Sequence, residues 1–239
     1  MRTKMNFSGR QFKIRCSAIG HIIGEPKLKA AKEAGELSET AKGYCEDWLK
    51  GKIFNRKLEF TNKYTEKGLI MEDASIDFLS EQLGLGMLFK DDQFLENDYM
   101  QGHMDISLPD YVFDVKNSWS WETFPLFETE VPTSGYFWQL QGYMELANKK
   151  AAKLIYVLSD TPQHLIEREA RNYCFYNGFG DMDIEIYNEF YNKLTYQDVD
   201  PKLKLKVFDI PRDQQAIERI KIQVEKCRIY IDKLLTQIK

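Results

Sequence analysis

The sequence predicts an α/β fold that includes a long C-terminal helix. Three observations carry that expectation. AKLIYVLSD (152–160) and KLKLKVFDI (202–210) alternate with the two-residue period of strands. EKGLIMEDASIDFLSEQLG (66–84) sets Ile70, Ala74, Phe78, Leu79 and Leu83 at helical spacing and stops at Gly84, the residue that best accepts the left-handed conformation closing a helix. Ile217, Ile220, Val224, Cys227, Ile231, Leu234 and Ile238 then recur at threes and fours, a stripe that one long helix would bury.

In chain order, a polar start leads to a short apolar segment, Cys16 to Gly24. KLKAAKEAGELSETAKGYCEDWLKGKIF (27–54) reads as helix broken near Gly35 and Gly43. The helix 66–84 follows and carries Glu72. Two short strands flank Leu108-Pro109-Asp110, and a loop rich in aromatics and acids runs from Trp119 to Glu130. SGYFWQLQGYMELANKK (134–150) is helical again, with Gln139 and Tyr143 one turn apart on one face. After the strand 152–160, residues Thr161 to Pro201 mix helix and loop. The strand 202–210 then precedes the final helix, whose stripe packs on its own domain or on a second copy.

With 239 residues, 43% hydrophobic and 29% charged, and no Gly/Ser/Pro-rich linker, one soluble domain over 1–239 is expected. No run approaches the roughly 20 apolar residues of a membrane span. Cys16, Cys45, Cys174 and Cys227 are widely separated, without a CxxC pair or a signal-like stretch near Met1, which points to reduced thiols in a cytoplasm. The net charge of −4 argues against a phosphate-rich partner until its distribution is considered. Residues 1–67 hold 15 Lys/Arg against 8 Asp/Glu, while residues 68–239 hold 18 against 29. The basic first third is either a nucleic-acid footprint or a set of solvated helix faces.

The chemistry is most legible in GHMDISLPDYVFDVKNS (102–118). A hairpin turning at Pro109-Asp110 pairs Ile106 with Phe113 and sets Asp105 opposite Asp114. Alternation puts Asp114 and Lys116 on one face and sends Phe113 and Val115 to the other. Facing carboxylates destabilise a sheet, and burial would raise one pKa unless a cation intervened. Oxygen ligands without a His or Cys cluster suit Mg²⁺ or Mn²⁺, and Lys116 could orient or deprotonate a water or stabilise phosphate charge. The same residues could equally keep an exposed hairpin solvated.

Four separated pieces resemble, in order, the PD-(D/E)xK nucleases, and within them the lambda exonuclease and YqaJ-type phage recombination exonucleases with their RecB-like nuclease domain. KGLIMEDA is similar to the helix that carries a metal-binding Glu four residues after a Gly, here Glu72. GHMD resembles the GxxD strand, giving Asp105; FDVK resembles the (D/E)xK strand, giving Asp114 and Lys116; YFWQLQGYM resembles the Q-x-x-x-Y helix, giving Gln139 and Tyr143. RCSAIGHIIG (15–24) is similar to the segment whose Arg and Ser bind a terminal phosphate, here Arg15 and Ser17, although Ser17 could instead cap a helix start.

The resemblance implies a restriction-endonuclease-like core, a mixed central sheet flanked by helices, with a basic helical region over 1–65, a catalytic core over 66–160 and an elaboration over 161–239. Glu72, Asp105, Asp114 and the Val115 carbonyl would hold one or two Mg²⁺ or Mn²⁺ ions. Lys116 would position the attacking water, Gln139 would orient the water, Lys116 or phosphate, and Tyr143 would meet substrate. Implied too are digestion of linear double-stranded DNA from its ends, 5′ to 3′, in phage-type recombination or repair, a single-strand annealing protein as partner, a ring-shaped trimer, and a bacterial or phage-infected cytoplasm. A structure- or sequence-specific endonuclease of the same superfamily, or a catalytically silent DNA-end-binding protein, are the alternatives. The cysteine spacing predicts no iron–sulfur cluster. His103 is not expected to be a metal ligand, and Trp119, Trp121, Phe124 and Phe127 would stack on bases or close a core.

Overall fold

The computed structural model describes residues 7–57, 61–180 and 182–238; the polar start, residues 1–6, lies outside them. In chain order the elements begin with β1 (Ile14–Arg15), α1 (Ile19–Ile23), α2 (Lys29–Glu33), α3 (Glu39–Phe54) and α4 (Lys63–Leu83). Next come β2 (Phe94–Glu96), β3 (Met100–His103), β4 (Ile106–Ser107), β5 (Tyr111–Asn117) and α5 (Ser134–Leu146). The chain continues through β6 (Ala151–Val157), α6 (Gln163–Asn177), α7 (Ile184–Leu194), β7 (Leu205–Pro211) and α8 (Gln214–Gln237).

The expected mixed sheet is β4-β5-β6-β7, with β5 and β6 parallel and the two outer pairings antiparallel. The hairpin register is the one alternation predicts, Ile106 opposite Phe113 and Ser107 opposite Val112. A second sheet, β1-β3-β2, pairs Arg15 with Gln101 and so lays the basic first third beside the strand that leads into Asp105.

Alternation along β5 and β6 divides two cores. Phe113, Val115, Ile155 and Val157 face Ile76 and Leu79 of α4. Val112, Leu154 and Tyr156 face the opposite way, onto Leu140 of α5 and the large cluster shared with α1, α3 and α8. Asp114 lies on this second side, so its face is roofed by α5 rather than open to water.

Three sequence expectations shift. Gly35, at φ +67°, does break the chain, but α3 runs through Gly43. Its Ser38 cap and the buried Ala41, Cys45 and Leu49 outweigh the roughly 1 kcal/mol that an interior glycine costs. α4 ends at Gly84 as expected, yet Ile70 and Leu83 are exposed, and its buried stripe is Lys67, Ser75, Ile76, Leu79 and Ser80. On α8 the buried stripe closes on Leu235, while Ile238 is exposed.

Arg228 of α8 is buried and donates to the Phe12 carbonyl at 3.0 and 3.1 Å and to the Asp98 carbonyl, with Glu225 at 2.7 Å as its ionic partner. The Gly9 N–H donates to Asp232 at 2.7 Å. The last helix thereby holds the first strand and the β2–β3 turn in place. Among the described residues no helix is long and apolar enough to cross a membrane.

Candidate active site

Two carboxylates and one lysine converge where β4 meets β5. Asp105 sits just before β4, and its Oδ2 accepts from the Val115 N–H at 2.6 Å, so the backbone of one strand fixes the side chain of the other. Asp114 is 1% exposed. Its Oδ1 accepts from the Gln139 amide at 2.8 Å, and the Lys116 ammonium lies 2.7 Å from Oδ2. That second oxygen has this ionic contact but no aligned hydrogen bond. Lys116 also lies over the Tyr136 ring, 5.0 Å from its centre.

Burial first, and the neighbouring Asp114 second, push the Asp105 carboxyl up to about 7, against the opposing pull of Lys116 and the Val115 N–H. Burial alone would lower the Lys116 ammonium, but Asp114 and Asp105 outweigh it and hold Lys116 above its ordinary value. These neighbours keep a charged lysine against Asp114 and leave a carboxyl at Asp105 that readily takes a proton. A divalent cation would relieve the crowding that raises Asp105. All the donors are hard oxygens, and the set fits Mg²⁺ or Mn²⁺.

Glu72 reaches this region from α4, on the other side of the sheet, and its Oε2 is 2.6 Å from the Lys90 ammonium. Among the described residues no three His, Cys, Asp or Glu side chains gather into a metal cluster. Asp105 and Asp114 are brought together; Glu72 stands off, engaged by a lysine that nothing in the sequence pattern singled out.

Gln139 and Tyr143 share a face of α5 as periodicity requires, but both are buried. The Gln139 amide donates to Asp114 and, at 3.2 Å, to the Tyr143 hydroxyl. Tyr143, expected at the substrate, stands behind Gln139. A Cβ at Gly102 would lie 3.0 Å from the Tyr143 ring and 3.4 Å from Cys16, so the segment following Arg15 packs directly on the support of the site.

Arg15 and Ser17 line an open groove of about 1550 Å³. Among the described residues, Lys52, Arg56, Lys57 and Trp48 line it too, giving four basic side chains with Arg15 against one acid, Asp47. Ser17 caps no helix; α1 starts after Ala18 without a side-chain bond. The groove lysines and Arg56 were visible in the sequence only as the charge excess of the first third. His21 stacks on Tyr44 in the same groove, His103 rests against Phe94, and His164 faces Glu66. Trp119 and Phe124 are buried, whereas Trp121 and Phe127 are exposed, so the aromatic loop divides between core and surface. The four cysteines are buried and free.

No family model and no curated protein matches the chain. Solved structures do. A phage-related exonuclease from Haemophilus somnus 129PT is 32% identical, with 95% of this chain and 97% of that chain covered, at a TM-score of 0.80. An alkaline exonuclease from Laribacter hongkongensis superposes at a TM-score of 0.63 and 11% identity, over 96% and 92% of the two chains. The same enzyme in complex with dAMP gives 0.63 and 12%, over 99% and 96%. At such identities the Laribacter likeness is one of fold.

Proposed function

Because the chain belongs to the phage-related exonucleases of the lambda-exonuclease and YqaJ type, we propose that it is a divalent-metal-dependent nuclease that digests linear double-stranded DNA from its ends. Polarity 5′ to 3′, service in phage-type recombination or repair, an annealing protein as partner and a ring-shaped trimer follow from the same kinship. The observation that carries the reading is the Asp105–Asp114–Lys116 constellation, with Asp114 gripped by Gln139. The dAMP bound by the Laribacter enzyme supports a deoxynucleotide chemistry.

Asp105, Asp114 and the Val115 carbonyl would hold the ion, with Glu72 as a further carboxylate once Lys90 releases it. When bound, Mg²⁺ or Mn²⁺ supplies positive charge to the scissile phosphate and lowers the pKa of a water. Lys116, held charged, donates rather than accepts, and so orients the attacking water or a phosphate oxygen. Gln139 acts through Asp114, fixing the carboxylate's plane, and Tyr143 fixes Gln139. Arg15 and Ser17, with the basic groove beside them, would meet backbone phosphates near the DNA end.

The test supplies linear duplex, nicked circle and covalently closed circle, each with Mg²⁺ or chelator, and end-labelled linear substrate to read polarity. Metal-dependent loss of linear DNA alone is expected. Cutting of the closed circle would make the protein an endonuclease, and binding without cleavage would make it a silent end-binding module.

A further inference from the structure

Lys67 is fully buried, and among the described residues no carboxylate bonds to it. Its ammonium donates to the carbonyls of Ser118 at 2.7 Å, Trp119 at 3.1 Å and Ser159 at 2.7 Å. An ammonium carries three donors and no acceptor, and these carbonyls use all three. Burial pushes the group down to about 7, with Asp160 opposing, so the arrangement is one the fold maintains at a cost. Next to it, Asn117 Oδ1 accepts from the Ser75 hydroxyl at 2.6 Å and from the Ser159 hydroxyl at 2.8 Å.

The placement of these residues is specific. Lys67 and Ser75 flank Glu72 on α4. Asn117 and Ser118 directly follow Lys116 at the end of β5, and Ser159 follows β6. Apolar contact between Ile76, Leu79 and Phe113 presses α4 onto the sheet, and the hydrogen bonds add a register that burial alone does not specify. Directional bonds at both flanks of Glu72 set its distance from the β5 side chains. A helix needed only to cover the sheet would do better with an apolar residue in place of a buried ammonium.

Granting the metal reading above, on which this step rests, we infer that Lys67, with the Asn117–Ser75–Ser159 node, is a positioning residue that locks Glu72 of α4 in register with Asp114 and Lys116 of β5. Neither Lys67 nor the node touches the ion. Their contribution is to the geometry with which carboxylates from two layers of the fold meet one cation, and it should appear in metal affinity more than in DNA affinity.

The experiment titrates Mn²⁺ alone, without DNA, into the wild type and the Lys67→Met and Ser75→Ala variants by calorimetry, at a temperature where each is folded by circular dichroism. Binding of linear duplex in chelator is measured alongside. Mn²⁺ binding is expected to weaken about 10- to 100-fold in Lys67→Met, as for other groups that orient metal ligands, and by a smaller factor in Ser75→Ala, with duplex binding unchanged. A folded Lys67→Met protein that binds Mn²⁺ as the wild type does would overturn the inference while leaving the metal reading standing. If Lys67→Met does not fold, Ser75→Ala decides by the same criterion. Absence of Mn²⁺ binding in the wild type would overturn the metal reading and this positioning role together.

Discussion

Asp114 is held from two sides, by the Gln139 amide and the Lys116 ammonium, so altering its charge without its shape separates chemistry from packing. Asp114→Asn keeps an oxygen for Gln139 to bond, and nuclease turnover is expected to fall at least about 100-fold while cooperative unfolding is retained. Lys116→Met should lose activity to a similar degree; full activity in either variant would remove these residues from the mechanism. Asp105 makes a prediction about pH. Its folded pKa lies above the ordinary carboxylate value of 3.8, so it contributes stability that is fully present below that value and is lost as pH rises through about 7. Denaturant titrations in chelator should show the protein less stable at pH 7.5 than at pH 5, a difference that shrinks in Asp105→Asn. At this scale Asp105, Asp114 and Lys116 were legible because a two-residue period and one turn fix which side chains meet. Lys67 was not, because a buried lysine is written with the same letter as a solvated one and only its three carbonyl partners distinguish it.

α5 roofs the carboxylates, and its approach to the first third of the chain leaves no space for a side chain at Gly142. A Cβ there would lie 2.6 Å from Ile19 Cδ1 and 2.9 Å from Cys16 Sγ. Gly142→Ala should therefore destabilise by about 1–3 kcal/mol through overpacking. Because Gln139 lies one turn earlier, activity should fall more than the stability loss alone explains, as read by turnover at a temperature where the variant is fully folded. The elements themselves were largely legible. α4, α5, β6 and β7 lie close to where they were expected, and α4 stops at Gly84 as its sequence requires. The face that α4 buries was not, since Lys67, Ser75 and Ser80 are polar, and the burial of Lys67 and Ser75 depends on partners far along the chain. Gly43 misled for the complementary reason: its neighbours Ala41, Cys45 and Leu49 supply packing that a local rule about glycine does not count.

Over the whole molecule, the charge imbalance becomes a groove. Arg15 arrives on β1 and Lys52 and Arg56 on or beside α3, and together they face one basic trough although the net charge is −4. Lys52→Ala and Arg56→Ala should each weaken binding of linear duplex in chelator and reduce the slope of log affinity against log salt by about one, with unfolding midpoints unchanged. An unaltered slope would place the DNA elsewhere. The asymmetry between halves was readable from composition, but its gathering into one trough required the β1–β3 pairing, a long-range contact without local signature. The Arg228 staple has a further consequence, one of timing. Phe12 and Arg228 lie 216 residues apart, so at roughly 5–20 residues per second the first strand leaves the ribosome on the order of 10–40 s before its anchor exists. Through that interval the basic trough lacks the helix that holds β1.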